Sequence, residues 1–86
     1  MKSPEEITNL VVDAIQKVFT TPILTSDHVD ALGLESLDIA EVCLMIETKL
    51  EDGALHTIRV PEDWFYEKNT VAELAMKVYE LQQRGS

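Results

Sequence analysis

The fold of this chain is decided by Leu32-Gly33-Leu34-Glu35-Ser36-Leu37-Asp38, where a glycine-containing loop gives way to a long amphipathic segment. Ser36 stands at that boundary, with an acid directly before it and another acid two residues after it. Serine is among the commonest helix N-caps, so the stretch predicts that a helix begins at Ser36. The same placement puts a hydroxyl in solvent beside negative charge, and a second role for that hydroxyl depends on the surrounding chain.

The predicted helix runs from about Ser36 to Glu51. One face is apolar at three- and four-residue steps, with Ile39, Val42, Cys43, Ile46 and Leu50, and Ala40 lies beside it. Further apolar residues fall toward other faces, namely Leu37, Leu44 and Met45. Such a helix either sits centrally or shows apolar surface to a partner. The remaining surface is assigned to the acids Asp38, Glu41 and Glu47, and Asp52-Gly53 is predicted to end the helix.

A first helix is predicted before this boundary, from about Pro4 to Phe19. Its apolar residues share one face: Ile7, Leu10, Val11, Ala14, Ile15 and Val18. Ser3 as N-cap, Pro4 at the first helical position and Glu6 three residues after the serine form a capping box. From Thr20 to Glu35 the periodicity stops while apolar residues continue, so this long loop is expected to pack over the core.

The rest of the chain predicts a loop, a short helix and a last helix. The loop spans Ala54 to Val60, and Pro61 to Tyr66 resembles one or two helical turns that start at proline. Thr70 and Glu73 form another capping box at the start of the last helix, and residues 84–86 are expected to be a disordered tail. Three long helices and one short helix, joined by a long first loop, predict an all-α bundle in a single domain of residues 1–86.

Composition limits the class of protein. A chain of 86 residues with 45% hydrophobic content can form one small core and not two. The formal net charge of -9, from 16 acids and 7 bases, disfavours nucleic acid and favours basic protein surfaces as partners. The sequence has no apolar run long enough to span a membrane and no signal peptide, so a soluble, cytoplasmic monomer is expected. The single cysteine, Cys43, is expected to be a buried hydrophobe.

Few residues could support catalysis by the chain itself. The only histidines, His28 and His56, lie in predicted loops, and neither comes with an oxyanion-hole motif. The acids lack the spacing of a calcium loop, cysteine pairs for zinc are absent, and three glycines form no phosphate-binding loop. We therefore expect neither enzymatic activity nor a metal site. The remaining hypothesis is that another enzyme modifies Ser36, because a helix N-terminus suits an attached phosphate.

The stretch from Leu32 to Asp38, followed by the helix through Leu50, resembles the acyl carrier proteins, whose usual signature reads leucine-glycine-any-aspartate-serine-leucine. The similarity extends over most of the chain in element order, length and acidity. It implies a four-helix bundle whose Ser36 receives 4'-phosphopantetheine from coenzyme A, through a separate phosphopantetheinyl transferase that normally requires magnesium. The thiol of the arm would then carry acyl groups as thioesters for acyl-transferring, condensing or ligase enzymes with basic docking surfaces.

The same resemblance implies two sets of site residues. Partner enzymes would read a docking surface made of Glu35, Leu37, Asp38, Glu41, Leu44 and Glu47. The acyl chain would be sheltered in an apolar space lined by Ala40, Cys43, Ile46 and Trp64.

Several departures from the family pattern indicate a specialised carrier. Glu35 replaces the usual aspartate, Thr48 and Lys49 interrupt a run that is usually acidic, and Trp64-Phe65-Tyr66 is bulky for the short helix. Fatty acid, lipid, polyketide and aminoacyl pathways all stay open. One alternative is an acidic helical interaction module in which Ser36 is only a cap. Another is a peptidyl carrier, although such domains tend to have glycine-histidine where this chain has Leu34-Glu35.

Overall fold

The computed structural model describes residues 2–51 and 58–84, and within these ranges the fold is all-helical. The α-helices are α1 (Pro4–Val18), α2 (Ser36–Glu51) and α3 (Val71–Arg84). Two short 3-10 turns, Val29–Ala31 and Glu62–Phe65, lie in the connections. The predicted bounds of α2 agree with the structure, and α1 ends one residue earlier than predicted. The predicted end of α2 at Asp52-Gly53, most of the loop before Val60 and residues 85–86 lie outside the described residues. Arg84, which was expected in the disordered tail, is instead the last residue of α3, where it pairs with Glu80 one turn earlier at 3.8 Å.

The fourth helix of the expected bundle is not found among the described residues. The stretch from Pro61 to Tyr66 contains only the 3-10 turn Glu62–Phe65, in which the Trp64 and Tyr66 N–H groups donate three residues back. Phe65 is the one fully buried side chain of this turn. A segment with so few core positions cannot offset the cost of nucleating an α-helix, whereas a single 3-10 turn suffices to bury one side chain.

The core lies between the three α-helices, with α1 packed against both α2 and α3. Each helix contributes one buried face: Ile7, Val11, Ala14 and Ile15 from α1, Ile39, Val42, Cys43, Ile46 and Leu50 from α2, and Val71, Leu74, Ala75 and Val78 from α3. The connections add Val29, Ile58, Val60 and Phe65. The periodicity of the sequence therefore predicted the inward faces of α1 and α2, although Leu10 and Val18 of α1 are only half-buried. Burial of one apolar stripe per helix is the main driving force in a small bundle.

The first loop packs over this core, as predicted, and is fastened to the start of α3. The N–H groups of Val71 and Ala72 donate to the carbonyl oxygens of Asp27 and Thr25 at 2.9 and 3.0 Å, and the Val29 N–H donates to the Asn69 carbonyl at 2.9 Å. A helix leaves its first N–H groups without partners inside the helix. Here the loop supplies those partners, so it is held in place on the way to Ser36.

The two ends of the described chain also meet. The buried side chain of Gln82 accepts from the Lys2 N–H and donates to the Lys2 carbonyl, each at 3.0 Å. This reciprocal pair fixes the end of α3 beside the start of α1. No helix in the described ranges is long and apolar enough to cross a membrane.

Candidate functional site

The start of α2 is capped by Glu35 and Asp38 rather than by Ser36. The Glu35 carbonyl accepts the first bond of the helix, from the Ile39 N–H at 3.0 Å, which makes Glu35 the N-cap and Ser36 the first helical residue. The Asp38 carboxylate in turn accepts from the Glu35 N–H at 3.3 Å. In a capping box, this is the bond from the N-cap N–H to the side chain of the third helical residue. The sequence predicted Ser36 as the N-cap, and the structure places the N-cap one residue earlier, at Glu35.

The Ser36 side chain is exposed and takes no part in capping α2. Its hydroxyl makes no hydrogen bond to any part of the chain that the structure describes. The loop turns sharply at Gly33, just before α2. The φ of Gly33 is +75°, a backbone conformation that residues other than glycine rarely adopt. The result is a free hydroxyl at the positive end of a sixteen-residue helix, a place that favours negative charge.

Four of the six expected docking residues are exposed around this hydroxyl. Leu37 and Leu44 are 80% and 63% exposed, although both are apolar. Glu35 and Glu41 are exposed as well, and Asp38 is half-buried by its bond to the Glu35 N–H. With the exposed Ala40, these residues form a stripe at helical spacing from Leu37 to Leu44. Solvated apolar side chains beside acids are typical of a surface that binds another protein.

Glu47 is not part of that surface. Its side chain is only 9% exposed, and its Oε2 atom accepts from the Val60 N–H at 2.7 Å. The spacing of Cys43, Ile46, Glu47 and Leu50 places all four on the buried face of α2. That spacing is visible in the sequence, but an acid among apolar residues is ordinarily assigned to solvent because burial of an unpaired charge is costly. The partner, a backbone N–H from a distant segment, could not be read from the sequence.

The four residues expected to line an acyl pocket do not share one environment. Cys43 and Ile46 are 4% and 0% exposed and belong to the packed core, Trp64 is half-buried, and Ala40 is exposed. The Lys77 ammonium lies 5.7 Å from the centre of the Trp64 ring. Burial, and to a smaller extent the nearby carboxylates of Glu62 and Glu47, together raise the pKa of the Cys43 thiol to about 12. The thiol is therefore protonated at neutral pH and is a poor nucleophile.

A groove that the sequence did not predict runs between α1 and α2. Its volume is about 550 Å³, and its apolar lining comes from Leu10, Ala14, Leu44 and Met45. The polar lining comes from Lys2, Glu6, Asn9, Asp13, Lys17, Thr48 and Lys49. None of the four expected pocket residues lines this groove. Sequence periodicity could not reveal it, because a groove depends on how far apart two helices pack.

Of the two histidines, only His28 lies in the part of the chain that the structure describes. His28 is exposed at the start of the first 3-10 turn, where its backbone pairs with Thr70, and His56 lies outside the described residues. Within residues 2–51 and 58–84, no cluster of histidine, cysteine and acidic side chains is arranged to hold a metal ion. Among the described residues, the Ser36 hydroxyl is hydrogen-bonded to no side chain that could act as a base.

Comparison with known proteins gives a match to a family model. A family model described as a phosphopantetheine attachment site matches residues 7–77, from the first turns of α1 to the middle of α3. No curated protein matches the chain. No solved structure matches it either.

Proposed function

Since the chain belongs to the phosphopantetheine attachment family, we propose that it is an acyl carrier protein whose Ser36 holds the arm. Domains of this family are the attachment site for covalently bound 4'-phosphopantetheine. The single observation that carries the proposal is the exposed Ser36 hydroxyl, which makes no hydrogen bond within the described chain. Ser3, by contrast, uses its hydroxyl to accept from the Glu6 N–H at 3.2 Å.

The surroundings of Ser36 fit a phosphodiester. The first-turn N–H groups of α2 have no carbonyl one turn earlier to bind, and together they form the positive end of the helix. A phosphodiester on the Ser36 oxygen would place its negative charge there. The Asp38 carboxylate is turned back onto the Glu35 N–H, so this bond does not use the first-turn N–H groups of α2.

Ser36 acts as the acceptor in the loading reaction. Its oxygen forms the new bond to phosphorus, the pyrophosphate bond of coenzyme A breaks, and the nucleotide half leaves. We assign the base that takes the hydroxyl proton to the transferase, since Ser36 makes no hydrogen bond to a base among the described residues. Once attached, the group supplies a thiol that carries acyl intermediates as thioesters. Carrier domains of this family are typically not catalytic, and we assign no reaction to the chain itself.

The proposed partners are a phosphopantetheinyl transferase and enzymes that transfer, condense or ligate acyl groups. We propose that they bind the docking surface, which now consists of Glu35, Leu37, Asp38, Glu41 and Leu44. Exposed leucines supply apolar contact, and the acids favour a basic partner surface that steers association. We assign the acyl intermediates that this arm carries to fatty acid, lipid or polyketide-type biosynthesis.

Intact-mass measurement tests the proposal. The purified protein is incubated with coenzyme A, magnesium and a broad-specificity phosphopantetheinyl transferase, beside the variants Ser36→Ala and Ser26→Ala. Ser26 is an exposed serine of the first loop, so Ser26→Ala serves as the control. We expect one phosphopantetheine group on the wild type and on Ser26→Ala, and none on Ser36→Ala. An unmodified wild type, or a modified Ser36→Ala, would contradict the proposal.

A further inference from the structure

The groove between α1 and α2 has no role in the proposed attachment at Ser36. On α1 its residues recur at three- and four-residue steps from Glu6 to Lys17, which is one face of the helix and about 16 Å long. On α2 it is lined by residues between Leu44 and Lys49. A groove of this length accommodates about three turns of a further helix.

The apolar floor of the groove can be reached from solvent. Leu44 is 63% exposed, Leu10 and Met45 are half-buried, and Ala14 is buried. Small-molecule sites enclose most of the surface of their ligand. A groove that binds an amphipathic helix covers only the apolar face of that helix. The open floor therefore favours a protein helix over a small molecule as the occupant.

The groove is lined by more bases than acids, although the chain as a whole has a net charge of -9. Lys2, Lys17 and Lys49 are three of the seven Lys and Arg residues of the chain. None of these three ammonium groups forms a salt bridge in the part of the chain that the structure describes. Of the two groove acids, Glu6 already accepts a backbone N–H at 3.0 Å in the capping box of α1.

We propose that this groove is a second docking site, which binds an amphipathic helix with acidic edges on a partner protein. The apolar face of that helix packs on the groove floor, and the acids along its edges pair with Lys17 and Lys49. Leu44 belongs to both the groove and the docking surface, so the two sites are continuous. They favour opposite charges on the partner, and the groove therefore selects a helix that the acids around Ser36 do not attract.

An NMR titration of the unmodified protein tests the site with two designed peptides. Both are helical and about 15 residues long, with leucine along one face; one has glutamate along the edges of that face, and the other has lysine. The salt concentration is about 0.15 M, at which charges more than about 8 Å apart are largely screened.

We expect the glutamate peptide to shift the amide signals of Leu10 and Ala14 on α1 and of Met45 on α2. The lysine peptide should shift the two α1 signals by less than about half as much. If the glutamate peptide left these signals unchanged, or if the lysine peptide shifted them equally, the inference would be overturned.

Charge reversal tests the role of the lysines. Lys49→Glu changes one groove charge, and Lys68→Glu makes the same change at an exposed lysine that does not line the groove. We expect the Kd of the glutamate peptide, measured by fluorescence anisotropy, to rise about fivefold or more in Lys49→Glu and by less than about twofold in Lys68→Glu. An equal rise in both variants would assign the effect to net charge and overturn the inference. Ser36→Ala should bind the peptide as the wild type does, which separates this test from that of the carrier function.

Decanoate tests the other class of occupant, because it has an apolar tail and a carboxylate but no helix. We expect decanoate to cause no saturable shift of the Leu10, Ala14 and Met45 signals. Saturable shifts with decanoate and none with the glutamate peptide would identify a small-molecule site and overturn the inference.

Discussion

Ser3 and Ser36 both stand at helix starts, and their hydroxyls differ in whether they make a hydrogen bond. Ser3 is the N-cap of α1: its Oγ atom accepts from the Glu6 N–H, and its own N–H donates to the Glu6 carboxylate at 3.0 Å. Ser36 stands one residue further into its helix, where Glu35 already holds the cap position. A shift of one residue thus frees the hydroxyl that the proposed function needs.

Gly33 is the residue whose backbone most constrains the approach to Ser36. Its φ of +75° lies in the left-handed region, and a Cβ at this position would meet no atom within 4 Å. A substitution at Gly33 therefore costs free energy because a side chain disfavours this φ, and not because the side chain would clash with a neighbour. We expect Gly33→Ala to lower the free energy of unfolding by about 1 kcal/mol, measured by urea denaturation.

Gly33→Asn is the matched control, because asparagine tolerates the left-handed region better than alanine does. It should be more stable than Gly33→Ala. If the two variants were equally stable, the positive φ of Gly33 would not be the source of the effect.

At the scale of elements, α3 shows how a helix start fastens a loop. Its first N–H groups are bound by the carbonyl oxygens of Asp27 and Thr25 and by the Thr70 hydroxyl, which accepts from the Glu73 N–H at 3.1 Å. The Glu73 carboxylate returns a bond to the Thr70 N–H at 2.9 Å. The capping box predicted from the sequence is confirmed. The backbone bonds of Val71 and Ala72 join the loop that precedes Ser36 to the start of α3.

The capping box makes the stability of α3 depend on pH. The bond from the Thr70 N–H is the main cause that holds the pKa of the Glu73 carboxyl below its ordinary value of 4.5. A carboxyl whose pKa is lower in the folded state stabilises that state above its unfolded pKa, and the contribution is lost as pH falls through the folded pKa. Glu73→Gln keeps an acceptor but has no titratable group.

We therefore expect the stability advantage of the wild type over Glu73→Gln to be present at about pH 6 and to disappear as the pH falls below 4.5 toward about pH 3. Urea midpoints across this range give the measurement. A difference between the two proteins that stays constant with pH would contradict the assignment of the bond to the charged carboxylate.

The helices could be predicted because their signals are local. A capping box at Ser3, another at Thr70 and one apolar stripe per helix place α1, α2 and α3 within a residue or two. The segment from Pro61 to Tyr66 was predicted as one or two helical turns, and it contains the single 3-10 turn Glu62–Phe65, since proline and acids at a segment start are common to α-helices and 3-10 turns. The first 3-10 turn, Val29–Ala31, has no periodicity that a sequence could reveal.

The site could be predicted only where it depends on one helix. The exposed stripe around Ser36 follows from the period of α2, and Leu37 and Leu44 lie where that period puts them. The burial of Glu47 depends on Val60, and the groove beside Leu44 depends on the packing of α1. Such contacts join residues that are distant in sequence, so they required the structure.

At the scale of the whole molecule, the net charge of -9 favours association with basic surfaces. In the function that we propose, the acids near Ser36 steer a transferase toward the hydroxyl. Glu41→Lys reverses one exposed charge on α2, and we expect it to lower the kcat/KM of the phosphopantetheinyl transferase by about tenfold at low salt. Added salt should lower the wild-type value and narrow the gap between the two proteins.

Glu80→Lys is the control for net charge, because it makes the same change on the exposed surface of α3. Its kcat/KM should stay close to that of the wild type. If both variants lost activity equally, the total charge and not the docking surface would govern association.

The residue that acquires phosphopantetheine can be identified directly by tandem mass spectrometry of the loaded wild-type protein. After incubation with coenzyme A and the transferase, the chain is digested, and fragmentation assigns the added group to one residue. We predict that the group is on Ser36 and on no other hydroxyl. A group assigned to Ser26 or to any other residue would contradict the central claim, as would a chain that stays unmodified.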